Sequence, residues 1–400
     1  MWTALRRTLL GAVVVLAAAI AAPYVVPVSH LIPELAGMAS ASLKQPVSID
    51  ELRLYLVPTP KLVATGISIG RRADVRIGEL EIVPELLSVF SGPLSVRIIR
   101  ATHVEMQESV LRPGRSLPKG GGGEPLVVKR ILLEQVVLRH AQWKLPQFDA
   151  DVELGEGLGV VRAVLRTRDG AIELQVQASF KGDELELSSV EGELYGGTLA
   201  GSLRASMGEP RQVSGKARLA GVDLVPVQRA LGKQAALSGR LKAEAAFAMQ
   251  PDGLALDAPF EVYGGAYQGV DLARAGDGAG QSAQGAATPF RELTGALEVR
   301  GGQVRLNRLC MRSPKMVAGG SVEIGPENAL SGKLDVSVAR TGGFVGVPVS
   351  LGGTTSEPSL TPSKGYVIGA VIGTMLLPGI GTTLGASAGS RLEGVAAGCK

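Results

Sequence analysis

Alternation with a period of two constrains this chain more than any other feature. In Ala171–Phe180, the residues Ile172, Leu174, Val176, Ala178 and Phe180 fall on one side, while Glu173, Gln175, Gln177 and Ser179 fall on the other. The pattern returns at Leu185 and Leu187, at Leu297 and Val299, and at Leu334, Val336 and Val338. Successive strand side chains point to opposite faces, so this spacing predicts an antiparallel sheet with one wholly apolar face. Such a face must be covered. Long amphipathic helices are missing between Val47 and Pro362. Two solutions stay open: a two-sheet sandwich, or a curved, taco-like sheet whose apolar face lines an open groove filled by something apolar.

The turn chemistry agrees with many short strands. The chain carries 54 glycines against 4% aromatic residues. Tyr195-Gly196-Gly197 and Tyr263-Gly264-Gly265 each follow an acidic-apolar run and read as tight hairpin turns, because glycine takes a positive φ without a Cβ clash. A second unit, Leu-x-Gly-x-Leu, recurs at 199–203, 237–241, 293–297 and 330–334. Each copy is read as the opening of a strand. The uneven spacing argues against a solenoid and for a sheet grown by adding similar hairpins.

These residues resemble the AsmA family of bacterial envelope proteins. The likeness rests on the paired Tyr-Gly-Gly segments, Val222-Asp223-Leu224 before Leu237-Ser-Gly239, and Val347-Pro-Val349 before Leu351-Gly-Gly-Thr354 and Glu357-Pro358. It is densest over residues 185–362 and extends more loosely to Leu54-Tyr-Leu-Val-Pro58 and the N-terminal stretch. The resemblance implies the second solution, an elongated β-groove like that of eukaryotic bridge-like lipid-transfer proteins.

Arg6 and Arg7 precede an uncharged stretch, Leu9–Val28, long enough to cross a bilayer. The paired arginines place the rest of the chain outside the cytoplasm. A cleaved signal peptide is the rival, given the small residues of Ala17–Ala22, but apolar character continues past them. The expectation is therefore a single-pass inner-membrane anchor over residues 1–28, with the bulk of the chain in the periplasm. A short linker helix is expected over 29–46 and a β-groove domain over 47–362, with flexible loops near 112–125 and 273–289. Val222–Leu231 reads as a short helix laid against the sheet. The tail, 363–400, carries no charge over Gly365–Ser390, and its glycines recur every four residues on both sides of Pro378. That spacing suits helices in close approach. A hairpin dipping into a membrane, one kinked spanning helix, and a hairpin packed against the sheet all fit it; membrane contact is the working expectation.

No catalytic set emerges. His30, His103 and His140 are dispersed without metal-ligand spacing. Gly120–Gly123 lacks the Lys-Ser/Thr of a phosphate loop. No metal, cofactor or enzymatic activity is expected. The basic residues are scattered, the net charge is only +4 and aromatics are few, which argues against nucleic acid. Cys310 and Cys399 form no framework and read as unpaired small residues.

The function expected from pattern and resemblance together is binding or transfer of glycerophospholipids in a Gram-negative envelope. Candidate groove-lining residues are Ile172, Leu174, Val176, Phe180, Leu185, Leu187, Leu334, Val336 and Val338. The alternative is a scaffold for outer-membrane protein biogenesis that conducts no lipid. At roughly 13 residues per strand and turn, about 24 strands would extend about 115 Å at most.

Overall fold

The computed structural model describes residues 28–56, 59–85, 95–107, 127–140, 145–155, 159–181, 184–206, 212–250, 253–270, 284–314, 316–340, 343–354, 358–362 and 399. The expected anchor, the loop near 112–125 and the glycine-spaced tail lie outside them. No helix among the described residues is long and apolar enough to cross a membrane. The fold is mainly β, with few helices. It forms two compact units: one takes the described residues up to Phe180 together with 230–232, and the other takes the remainder.

In unit 1, a turn of 3₁₀-helix (Val28–Leu31) leads into α1 (Ile32–Leu43), where a helix was expected. Strands β1 (Val47–Ser48), β2 (Glu51–Tyr55), β3 (Lys61–Ile69), β4 (Val75–Pro84) and β5 (Ser95–Gln107) follow. They are succeeded by β6 (Val127–Arg139), β7 (Phe148–Leu154), β8 (Val160–Thr167) and β9 (Ile172–Lys181). β1 and β2 both pair with β3, and neighbours then pair in sequence order. One pairing departs from the expected antiparallel sheet: β5 and β6 run parallel. The connection over 108–126 explains it, since a parallel pair needs a dozen or more residues to return the chain to its starting side.

The registers align apolar residues into continuous rows across unit 1. One row runs Leu52–Ala64–Leu80–Ala101–Leu133–Ala150–Leu165–Leu174. The next runs Leu54–Leu62–Ile82–Ile99–Ile131–Val152–Ala163–Val176. Period-two alternation in every strand keeps the rows on one face. At one end, Ile32 and Leu35 of α1 pack on the cluster of Val28, Leu52, Ala64 and Ile67. Removing that apolar area from water supplies about 25 cal/mol per Å².

Unit 2 is an antiparallel meander. Its strands are β10 (Glu184–Leu194), β11 (Gly197–Ser206), β12 (Val213–Asp223), β13 (Arg240–Gln250), β14 (Gly253–Val270) and β15 (Gln284–Arg300). They continue as β16 (Gln303–Ser313), β17 (Met316–Ile324), β18 (Leu330–Arg340), β19 (Gly343–Gly353) and β20 (Pro358–Pro362). Helix α2 (Leu224–Ala230) follows β12, and the Asp223 carboxylate accepts the Val225 N–H at 3.0 Å, satisfying one free donor of its first turn.

Three expectations fail locally. Tyr195 and Gly196 do form a two-residue hairpin turn between β10 and β11, both at positive φ. Tyr263-Gly264-Gly265, however, sits inside β14. Arg240 faces Tyr263 and Leu237 faces Tyr267, so Gly264, at φ 58°, is an extra residue that bulges the strand rather than turning it. Likewise, only Leu330–Leu334 opens its strand cleanly; Leu199–Leu203 and Leu293–Leu297 lie within β11 and β15. Their glycines make room for neighbours, as at Gly295, where an added Cβ would lie 2.9 Å from the Phe260 ring. Finally, residues 284–289, expected in a loop, belong to β15 and pair with the end of β14.

Each unit carries cross-strand ion pairs on the face opposite its own apolar rows. Arg166–Glu173 and Arg130–Asp151 lie on unit 1; Arg204–Glu186, Arg218–Glu244, Arg305–Glu323 and Arg312–Glu292 lie on unit 2. The Arg130 guanidinium, gripping Asp151 through two hydrogen bonds, holds that carboxyl below the usual range. Exposed pairs of this kind add little stability each, but they fix which face is wet.

Candidate apolar binding cleft

The apolar face of unit 2 is as continuous as that of unit 1. One row runs Leu187–Leu203–Gly215–Phe247–Leu256–Val299–Val304–Ile324–Leu330 across nine strands. Another runs Val222–Leu241–Val262–Leu293–Met311–Ala318–Val336. Val222, Val262, Met316 and Val336 are essentially sealed from solvent and form the packed part of this face.

Between these rows the packing is incomplete. Leu297–Leu306–Val322–Gly332–Leu351 and Leu309–Gly320–Leu334–Val349 are again neighbours in register, yet Leu306, Leu309 and Leu351 are only half-buried. They line a cleft of about 350 Å³ with Phe260, Leu293, Met311 and Leu334 as floor and walls. Among all its lining residues only Tyr267 carries a polar side-chain atom. Burial pushes the Tyr267 phenol up from its ordinary pKa.

The segment after α2 closes one wall. Gln228 donates to the carbonyls of Leu224 and Leu237 and accepts the Leu237 N–H at 3.2 Å, which joins the helix to the returning chain. Ser238 N–H donates to Ala266 at 3.0 Å, and its hydroxyl accepts the Ala266 N–H at 2.9 Å. These bonds hold Leu237 against the core and into the cleft. Gly239, at φ 126°, lets the chain pass: a Cβ there would stand 2.7 Å from Val262.

The residues singled out from sequence are dispersed over the two units. Leu334 lines the cleft; Val336, fully buried, belongs to the core beneath it. Ile172, Leu174 and Val176 are half-buried on the apolar face of unit 1, and Leu185 and Leu187 are half-buried at the β10 side of unit 2. Only the backbones of Phe180 and Val338 are described. The cleft residues Phe260, Leu306, Leu309 and Leu351 escaped sequence reasoning. One bulge in β16, at Asn307–Arg308, shifts the register against both neighbouring strands and returns Leu309 to the face that carries Leu306, and no local pattern announces a bulge.

One expectation is overturned outright. Cys310 and Cys399 are not free thiols but a disulfide, with Cα atoms 5.1 Å apart. Their separation of 89 residues hid the pairing, because such proximity is a property of the fold alone. Among the described residues no cluster of His, Cys, Asp and Glu could hold a metal ion.

No protein-family description, curated protein or solved structure gives a match to this chain.

Proposed function

We propose that the chain is an exported envelope protein of AsmA type whose apolar β-face binds the acyl chains of glycerophospholipids, with the unit 2 cleft as the principal seat. The observation that carries this is the cleft itself: an aliphatic and aromatic lining, half-buried leucines and one phenol. A site with a large apolar wall and a single polar group suits a long hydrocarbon with one acceptor near it. The mechanism is partitioning. Each buried CH₂ contributes about 0.8 kcal/mol, and a charged headgroup stays at the wet edge, where it keeps its hydration. No covalent step, metal or nucleotide is called for.

The disulfide supports an oxidising compartment, as the periplasm is. The arginine-flanked apolar stretch near residue 9 supports an inner-membrane anchor. A scaffold for outer-membrane protein assembly would need no hydrocarbon site.

Leu306→Glu separates the two. It puts a charge on a half-buried wall residue without emptying the packed core. With a phospholipid carrying a fluorescent acyl chain, the full-length variant should lose at least tenfold in affinity and keep its circular dichroism spectrum. Unchanged binding would refute the cleft as the seat.

A further inference from the structure

On the outer face of unit 2, one row differs from its neighbours. It runs Thr294–Cys310–Gly319–Asp335–Pro348. The adjacent outer row on one side holds the exposed pair Arg312–Glu292, and on the other side, beyond Ala296 and Asn307, the second row holds Arg305–Glu323, with Arg312 and Arg305 both at 51% side-chain exposure. Cys310, Gly319 and Pro348 are instead buried, and burial raises the Asp335 carboxyl above its ordinary pKa. Helix α2 and residues 231–239 do not account for this, because Leu224 and Leu237 pack on the opposite, apolar face. Among the described residues only Cys399 is bonded to this row, with its sulfur also 3.6 Å from the Ala318 carbonyl.

The two ends of one segment mark out the row. Pro362 pairs with Val349, the residue after Pro348, and Cys399 is bonded to Cys310 three strands away. At about 4.8 Å per strand the row between them spans about 14 Å. The intervening residues, 363–398, include the uncharged stretch Gly365–Ser390, which needs an apolar or low-charge surface as cover. We infer that the outer-face row from Cys310 to Pro348 is a docking surface for residues 363–398 of this same chain, clasped at the far end by the disulfide. The sheet then carries an apolar layer on the side opposite the cleft, and the tail is an internal part of the fold, not a free hook for a second membrane. This stands whether or not the inner face takes lipid.

Photo-crosslinking tests it on the full-length oxidised protein. A benzoylphenylalanine is placed at Asp335, or at Ser337 one outer row away should Asp335 prove intolerant, with Glu323 as exposed control. The expected result is an intrachain crosslink to a peptide within 363–398, at least fivefold above the control and unchanged by added phospholipid vesicles. Crosslinks to lipid, to a second copy, or at no more than control yield would each overturn the inference.

Discussion

Cys399 is covalently bonded to Cys310, which lies next to the cleft residue Met311 on β16 but points to the other side of the sheet. The bond closes a loop of 89 residues that contains β17 to β20. In the chain-entropy account a loop of that length removes about 4–5 kcal/mol of unfolded-state freedom. The double variant Cys310→Ser/Cys399→Ser should therefore melt lower, on the order of 10 °C for a unit of this size. Scanning calorimetry of wild type with and without reductant checks it, and coincident melts would count against the bond as a brace.

Gly264 and Gly265 are adjacent and should respond very differently to alanine. A Cβ at Gly265 would sit 1.9 Å from the Ser238 carbonyl oxygen and 2.8 Å from the Phe290 ring, so backbone would have to move. A Cβ at Gly264 meets nothing within 4 Å and suffers only the strain of φ 58°, about 1–2 kcal/mol. Urea titrations should place Gly265→Ala well below Gly264→Ala in stability. Equal midpoints would mean that Leu237 is not held against β14 as described.

Asp335 should make the protein more stable when protonated. Its folded pKa is raised by burial, so the native state binds the proton more tightly than the unfolded chain does. That contribution is full below the ordinary carboxylate pKa and is lost as pH rises through the folded value. Asp335→Asn should raise Tm at pH 7 and leave it unchanged near pH 3. An increase equal at both values would assign the effect to packing.

Asp151 has the opposite sign. Arg130 depresses its folded pKa, so its stabilisation is present above the ordinary carboxylate pKa and disappears as pH falls through the lower, folded value. Asp151→Asn should lower Tm slightly at pH 7, with a difference of at most about 1 kcal/mol for so exposed a pair. The difference should vanish at strongly acid pH; persistence there would remove the Arg130 contact as its cause.

The one-sided sheet was legible because alternation is local: Ile172, Leu174 and Val176 disclose their common face without any knowledge of their partners. The Tyr195-Gly196 turn was legible for the same reason, since positive φ at two successive residues is a local demand. The copy at Tyr263 misled because an extra glycine in a strand and a glycine in a turn ask the same of the backbone; only the pairing of Arg240 and Leu237 across from it tells them apart. The parallel β5–β6 pair, the cleft walls at Leu306 and Leu309 and the Cys310–Cys399 bond are all decided by register between distant segments, which composition and periodicity do not encode.

The most direct measurement is native mass spectrometry with lipid extraction on the full-length protein, purified in mild detergent. The account predicts phospholipid bound in stoichiometric amount that survives detergent washing and is lost in Leu306→Glu. A stable, folded wild-type protein that carries no lipid would contradict it and leave the apolar face as packing surface for a protein partner.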